Sequence, residues 1–239
     1  AAPGALGGAG PGGRATVGER LHLLQVLSHV ALAAGHGPAA REEICAALRE
    51  EEAAGGGREP PGSSEVPARA RLLSALGRHH ADEGDVRAAE LAFERARAAG
   101  LPQDSAAALL DQGILCTARC DYANARAHFA QASATALAGA GPRGLAELPP
   151  AAADEAVAAE NNLAVCRLYT KELREGVQGL EAFVRKSPVL FLRGCVVQNL
   201  SALYEFMTDG GQRRVTLKEV VDAFQLEDIE PRALEQPTG

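Results

Sequence analysis

A chain of 239 residues, 46% of them hydrophobic, can bury one extended core or one to two compact ones. A formal charge of −7 at pH 7 argues against nucleic acid as the default partner. The five cysteines (Cys45, Cys116, Cys120, Cys166, Cys195) are odd in number and irregular in spacing, so they do not read as a secreted disulfide framework. Buried thiols in a reducing compartment are the expectation.

In chain order, Ala1–Gly18 is rich in Gly and Pro and reads as a disordered tail without signal-peptide features. Glu19–Ala34 and Ala39–Ala54 form a degenerate helical hairpin, with "GHGP" as its turn. Residues 55–66 are a Gly/Pro/Ser linker. From 67 to 225 the apolar spacing is helical nearly throughout. No segment reaches the roughly 18 uninterrupted apolar residues of a membrane helix. The last stretch, 226–239, reads as a tail.

A repeat organises the region 67–225. Gly77 is followed after 12 residues by Ala89, after 4 more by Phe93 and after 3 more by Ala96. Gly113, Ala125, Phe129 and Ala132 keep the same intervals, with 36 residues between the glycines. This is the tetratricopeptide pattern: small residues where two antiparallel helices touch, and an aromatic packed where the repeat closes. A third copy has Ala164 at the glycine level, beside Asn162 and Leu163, followed by Gly176, Leu180 and Phe183. It starts 51 residues after the second, which places an insertion at 138–152. A fourth copy carries Asn199, Leu200, Ser201 and Tyr204, with a second helix at Leu217–Phe224 set back by the loop "TDGGQRR". The fold expected is all-α, a right-handed α-solenoid of tetratricopeptide-like hairpins in which each hairpin buries its apolar face against the next. Leu76, Phe93, Phe129, Leu163, Leu180, Leu200 and Tyr204 should hold it.

The paired asparagines Asn161 and Asn162 sit inside an apolar helix, where an unpaired buried amide costs roughly 1–3 kcal/mol. Asn162 and Asn199 share one level in successive repeats and read as structural amides at repeat junctions. Asn161 lies one helical step away, about 100°, and is expected to face a concave groove, with Gln198 in its place one repeat on. Groove candidates for protein binding are Arg71, Arg78, Asn161, Val165, Tyr169, Gln198 and Phe206.

Other chemistry is weakly supported. Cys116, Cys120 and His128 could suggest zinc, but Cys116 falls at a packing level and Cys120 in a turn. His79 and His80, near Asp82, Glu83 and Asp85, read as a solvated helix end. "DGGQRR" lacks the strand and the GK[ST] of a phosphate loop. The Asn199-Leu-Ser201 sequon lies on a packed helix. A carboxylate clamp of the chaperone-binding kind would place Ser74, Arg78 and Asp111 in the groove, and Asp111 would repel the ligand. No catalytic set, metal or cofactor is expected.

The runs Asn161–Cys166, Leu180–Val184 and Gln198–Glu205, together with Tyr169, resemble the subunit 12 family of the trafficking protein particle (TRAPP) complex. The resemblance covers about Leu72–Phe224. It implies the C-terminal repeat region of a non-catalytic subunit in a TRAPP III-type tethering and exchange assembly that serves a Rab1-class GTPase in ER–Golgi traffic and autophagy. It also implies large subunits 8 and 11 as partners. The expected location is cytoplasmic, peripheral to Golgi membranes and without membrane insertion. A general peptide-binding adaptor is the alternative.

Overall fold

The computed structural model describes residues 37–53, 66–141 and 143–224. The expected helix Glu19–Ala34, both tails and nearly all of the 55–66 linker lie outside the described residues. Those described form ten α-helices, and none of them belongs to a β-strand. They are α1 (Gly37–Ala53), α2 (Ala68–Asp82), α3 (Val86–Ala98), α4 (Ala106–Ala118), α5 (Tyr122–Ala138), α6 (Pro150–Tyr169), α7 (Leu173–Lys186), the short α8 (Pro188–Phe191), α9 (Gly194–Tyr204) and α10 (Gly210–Phe224). Helices pair as α2–α3, α4–α5, α6–α7 and α9–α10. Each opening helix also packs on the opening helix of the next pair: α2 on α4, α4 on α6, α6 on α9. The result is an all-α solenoid.

The repeat spacing has a direct steric cause. Phe129 is buried with its ring over Gly113, and a Cβ on Gly113 would lie 2.5 Å from the ring edge. Gly77 faces Phe93 in the same way. Only glycine admits the ring at that distance, and the buried phenylalanine contributes roughly 1.5–3 kcal/mol of apolar transfer. The third pair redistributes the same volume. Leu180 replaces the ring, Ala164 replaces the glycine, and Gly176 now takes the close approach, 3.0 Å from its Cβ position to the Ala164 carbonyl oxygen.

The turns repeat as well. Gly84, Cys120 and Lys171 each adopt positive φ, at 81°, 60° and 66°. Each stands seven residues after Gly77, Gly113 or Ala164. Asp85 and Asp121 follow and accept from the backbone N–H of Ala88 and Asn124, capping α3 and α5. Glu172 makes no such cap; it accepts instead from the Arg126 guanidinium at 2.6 Å, tying α7 to the preceding pair.

Two expectations are corrected. The connection 139–149 fills most of the expected 138–152 insertion, but most of the added length lies in the two helices that flank it. α5 has 17 residues where α3 has 13, and α6 has 20 where α4 has 13. The connecting segment 139–149 is four residues longer than its counterpart 99–105, and these three changes account for the shift from 36 to 51. Pro149 and Pro150 open α6 rather than break it, because proline at the first helical position forfeits no hydrogen bond. The extension is covered by α8, whose Phe191 stacks on Phe183 with ring centroids 4.2 Å apart. Likewise Gly210–Arg214, read as loop, forms the first turns of α10. Gly210 is buried against the Tyr204 carbonyl, where no side chain fits.

α1 closes the N-terminal side of the described region. Ile44, Ala47 and Leu48 bury against α2, and Glu52 accepts from both Arg69 and Arg95. Arg41 pairs with Glu83 in the α2–α3 turn. At the other end Glu181 accepts from the Tyr204 hydroxyl at 2.9 Å and from Arg213 at 2.7 Å, fastening α7 to α9 and α10.

Candidate functional site: the face formed by the opening helices

Arg71, Ser74 and Arg78 fall at i, i+3 and i+7 and share one stripe of α2. On α4, opposite that stripe, stands Asp111, only 2% exposed. Its carboxylate accepts from Ser74 Oγ at 2.6 Å and from Arg78 Nε at 2.8 Å. A further bond at 3.4 Å joins Arg78 to the Ala107 carbonyl. Burial pushes the Asp111 carboxyl above its ordinary range, and Arg78 works against that. Arg78, expected in the groove, is thus held by Asp111, which leaves it poorly placed to clamp a partner's carboxylate. Arg71 is half-buried, and its Nε has no hydrogen-bond partner.

Farther along the face the two asparagines differ in burial. Asn161 is buried at 8% exposure, with its Oδ1 lacking a donor, whereas Asn162 is half-buried. Side-chain bonds between hairpins run through other residues: Ser74 to Asp111, Arg126 to Thr170 and Glu172, and Arg213 to Glu181. Val165 is half-buried one turn beyond Asn161. On α9 Gln198 is exposed, while Asn199 is half-buried.

Tyr169 and Phe206 stand apart from this stripe, Tyr169 as the last residue of α6 and Phe206 in the turn two residues past the end of α9. Each comes five residues after the small residue of its repeat, Ala164 or Ser201. Tyr169 is 59% exposed and Phe206 65%. Tyr169 stacks on Tyr122, the first residue of α5, with centroids 4.5 Å apart and planes 5° off parallel. The candidates therefore divide between the helix face and the hairpin-turn edge. Near that edge Thr117 Oγ1 and Cys166 Sγ lie 3.7 Å apart, and burial raises the thiols of Cys116 and Cys166. Among the described residues no cluster of three or more metal-ligating side chains occurs, and no helix is long and apolar enough to cross a membrane.

One residue escaped the sequence reading. Glu155, in the Ala-rich start of α6, is half-buried, and burial raises its carboxyl above the ordinary range, with Arg78 opposing. The only sign in the sequence is the acidic pair Asp154-Glu155 inside a run of alanines.

The hairpin geometry defines a solenoid of tetratricopeptide-like repeats. Over 157 residues the chain is 28% identical to trafficking protein particle complex subunit 12 of Mus musculus and 29% identical to that of Homo sapiens. These alignments take in 63% of the chain, which spans 17% and 19% of the two relatives' lengths. The expected resemblance to subunit 12 of the TRAPP complex is thus met by these alignments. No family model matches the chain. Among solved structures, PilF of Pseudomonas aeruginosa superposes with a TM-score of 0.50 at 17% identity, over 91% of this chain and 81% of that one, a likeness of fold alone.

Proposed function

We propose that the chain is a protein-binding scaffold segment of a TRAPP III-type vesicle-tethering complex and carries no catalytic step itself. The observation that carries this reading is the similarity to subunit 12 over 63% of the chain. In this reading the neighbours are other TRAPP subunits, the large subunits 8 and 11 foremost. A Rab1-class GTPase is served indirectly, in ER–Golgi traffic and autophagy, and the segment works in the cytoplasm at the Golgi periphery. Tyr169 and Phe206 support it physically, because large exposed aromatics are the side chains most often energetic at interfaces.

Affinity capture of the tagged chain from its own cells, with size-exclusion and mass identification, tests the proposal. Co-elution with TRAPP subunits at fixed stoichiometry is expected. Elution alone, or sub-stoichiometric capture of a short extended peptide, would replace it with the adaptor reading. Asn161→Ala combined with Tyr169→Ala should weaken that capture while leaving the far-ultraviolet dichroism unchanged. Asn161 Oδ1 has no donor to lose, and Tyr169 is mostly outside the core. Undiminished capture, or loss of helical signal, counts against both residues as contacts.

A further inference from the structure

We propose that His79 is an acid-sensitive latch between α1 and α2: neutral, it completes the contact that holds α1 on the solenoid, and taking up a proton releases α1 while the other hairpins stay folded. The helix end read as solvated buries one of its two histidines, with His79 only 2% exposed and His80 half-buried. The Nδ1 of His79 is buried and has no hydrogen-bond partner. In the neutral ring that nitrogen can stand as an unused acceptor. The imidazolium makes both ring nitrogens donors, and the one at Nδ1 has nothing to bond in a contact that water does not reach.

The neighbours of His79 set its place against α1. Leu72, Leu76, His79 and Glu83 fall at i, i+4, i+7 and i+11, one stripe running along α2 into its cap. Leu72 and Leu76 share a core cluster with Ile44, Ala47 and Leu48 of α1. Glu83, whose N–H donates to the His79 carbonyl at 3.1 Å, pairs with Arg41 of α1. His79 therefore lies between residues that meet α1 on either side. Glu52 joins the far end of α1 to Arg69 at the start of α2, at 2.6 Å, so α1 runs antiparallel across α2 and spans the level of His79. α2 is packed by α3 and α4 as well, which makes α1 the element that yields.

The charged groups acting on His79 are Asp82, Glu83 and His80 of its own helix end and Arg41 from α1. Burial, the leading cause, with Arg41 and His80 on its side, holds the ring below its ordinary 6.5, and the carboxylates of Asp82 and Glu83 oppose it. At a pH between the packed and the free value, the detached form holds a proton that the packed form has shed. The contribution of the neutral ring is thus whole above the unfolded value and is lost as pH falls below it and through the folded one.

The test follows the full chain by NMR from about pH 7.5 to about pH 5, beside His79→Gln, which is polar and takes up no proton. The His79 ring resonance should titrate below 6.5. Protection of the α1 amides, corrected for intrinsic exchange, should fall with pH in the wild type while α4 and α5 keep theirs. The expected fall is about tenfold for each unit by which His79 lies below its unfolded value. In His79→Gln the protection of α1 should stay level across the range. A ring titrating at or above the ordinary value, an equal loss of protection from α1 to α5, or the same pH dependence in His79→Gln would overturn the proposal. Should the variant fail to fold, the wild-type resonance and the wild-type protection of α1 against α4 and α5 decide alone.

Discussion

Arg78→Ala is expected to destabilise the chain by about 3–5 kcal/mol at neutral pH, the range found when one partner of a buried ion pair is removed. The reason is what it leaves behind: Asp111, 2% exposed, with only the Ser74 hydroxyl to solvate it. Without the guanidinium its carboxyl should move further above the ordinary range, so the folded variant binds a proton that its unfolded form has shed. Its deficit should therefore shrink as pH falls. Arg78→Ala with Asp111→Asn should recover much of the loss, because no buried charge remains. Urea unfolding at two pH values checks all of this. An Arg78→Ala chain within about 0.5 kcal/mol of wild type would show that the pair contributes little to the α2–α4 junction.

The second large effect concerns the ring over Gly113. Phe129→Ala should cost about 3–5 kcal/mol, as expected for a deeply buried aromatic. A double-mutant cycle is more informative. Gly113→Ala alone drives a methyl to about 2.5 Å from the Phe129 ring, and such overpacking costs roughly 1–3 kcal/mol. Phe129→Leu alone leaves a void over bare backbone. Made together they approach the third pair, where Ala164 faces Leu180. The double change should be milder than the sum of the singles, with a coupling of about 0.5–3 kcal/mol. Strict additivity in thermal or urea unfolding would mean that the two positions do not share space.

That redistribution was open to reading in the chain. The intervals of 12, 4 and 3 residues persist from Gly77 through Gly176 even as Gly, Ala and Phe become Ala, Gly and Leu. Spacing is what helix–helix contact imposes, so it survives when identities change. The ends of elements were less legible. The stretch around Ala138–Pro150 is rich in small residues and proline and has little amphipathic contrast, so nothing in it separates a lengthened helix from a loop. Gly210 and Gly211 look like turn residues until the Tyr204 carbonyl is found against the first of them.

The candidate site was harder still. Helical spacing gives the angle between Asn161 and Asn162 but not which of them the next hairpin closes over, and the burial runs opposite to the expectation. Spacing places Arg78 and Asp111 in the same groove but does not show that Asp111 is buried and takes up the guanidinium.

The lengthened α5–α6 connection also has a practical use. Its tip folds back on itself through a bridge between Gly141 and Gly144, and Arg143 there is 84% exposed. Leu148 and the helix ends behind it are packed, so the connection is anchored at its base and open at its apex. A small fluorescent or epitope cassette spliced at Arg143 should leave the unfolding midpoint within experimental error. It would give an observer a fixed beacon on the solenoid, well away from Tyr169 and Phe206 at the opposite ends of the hairpins.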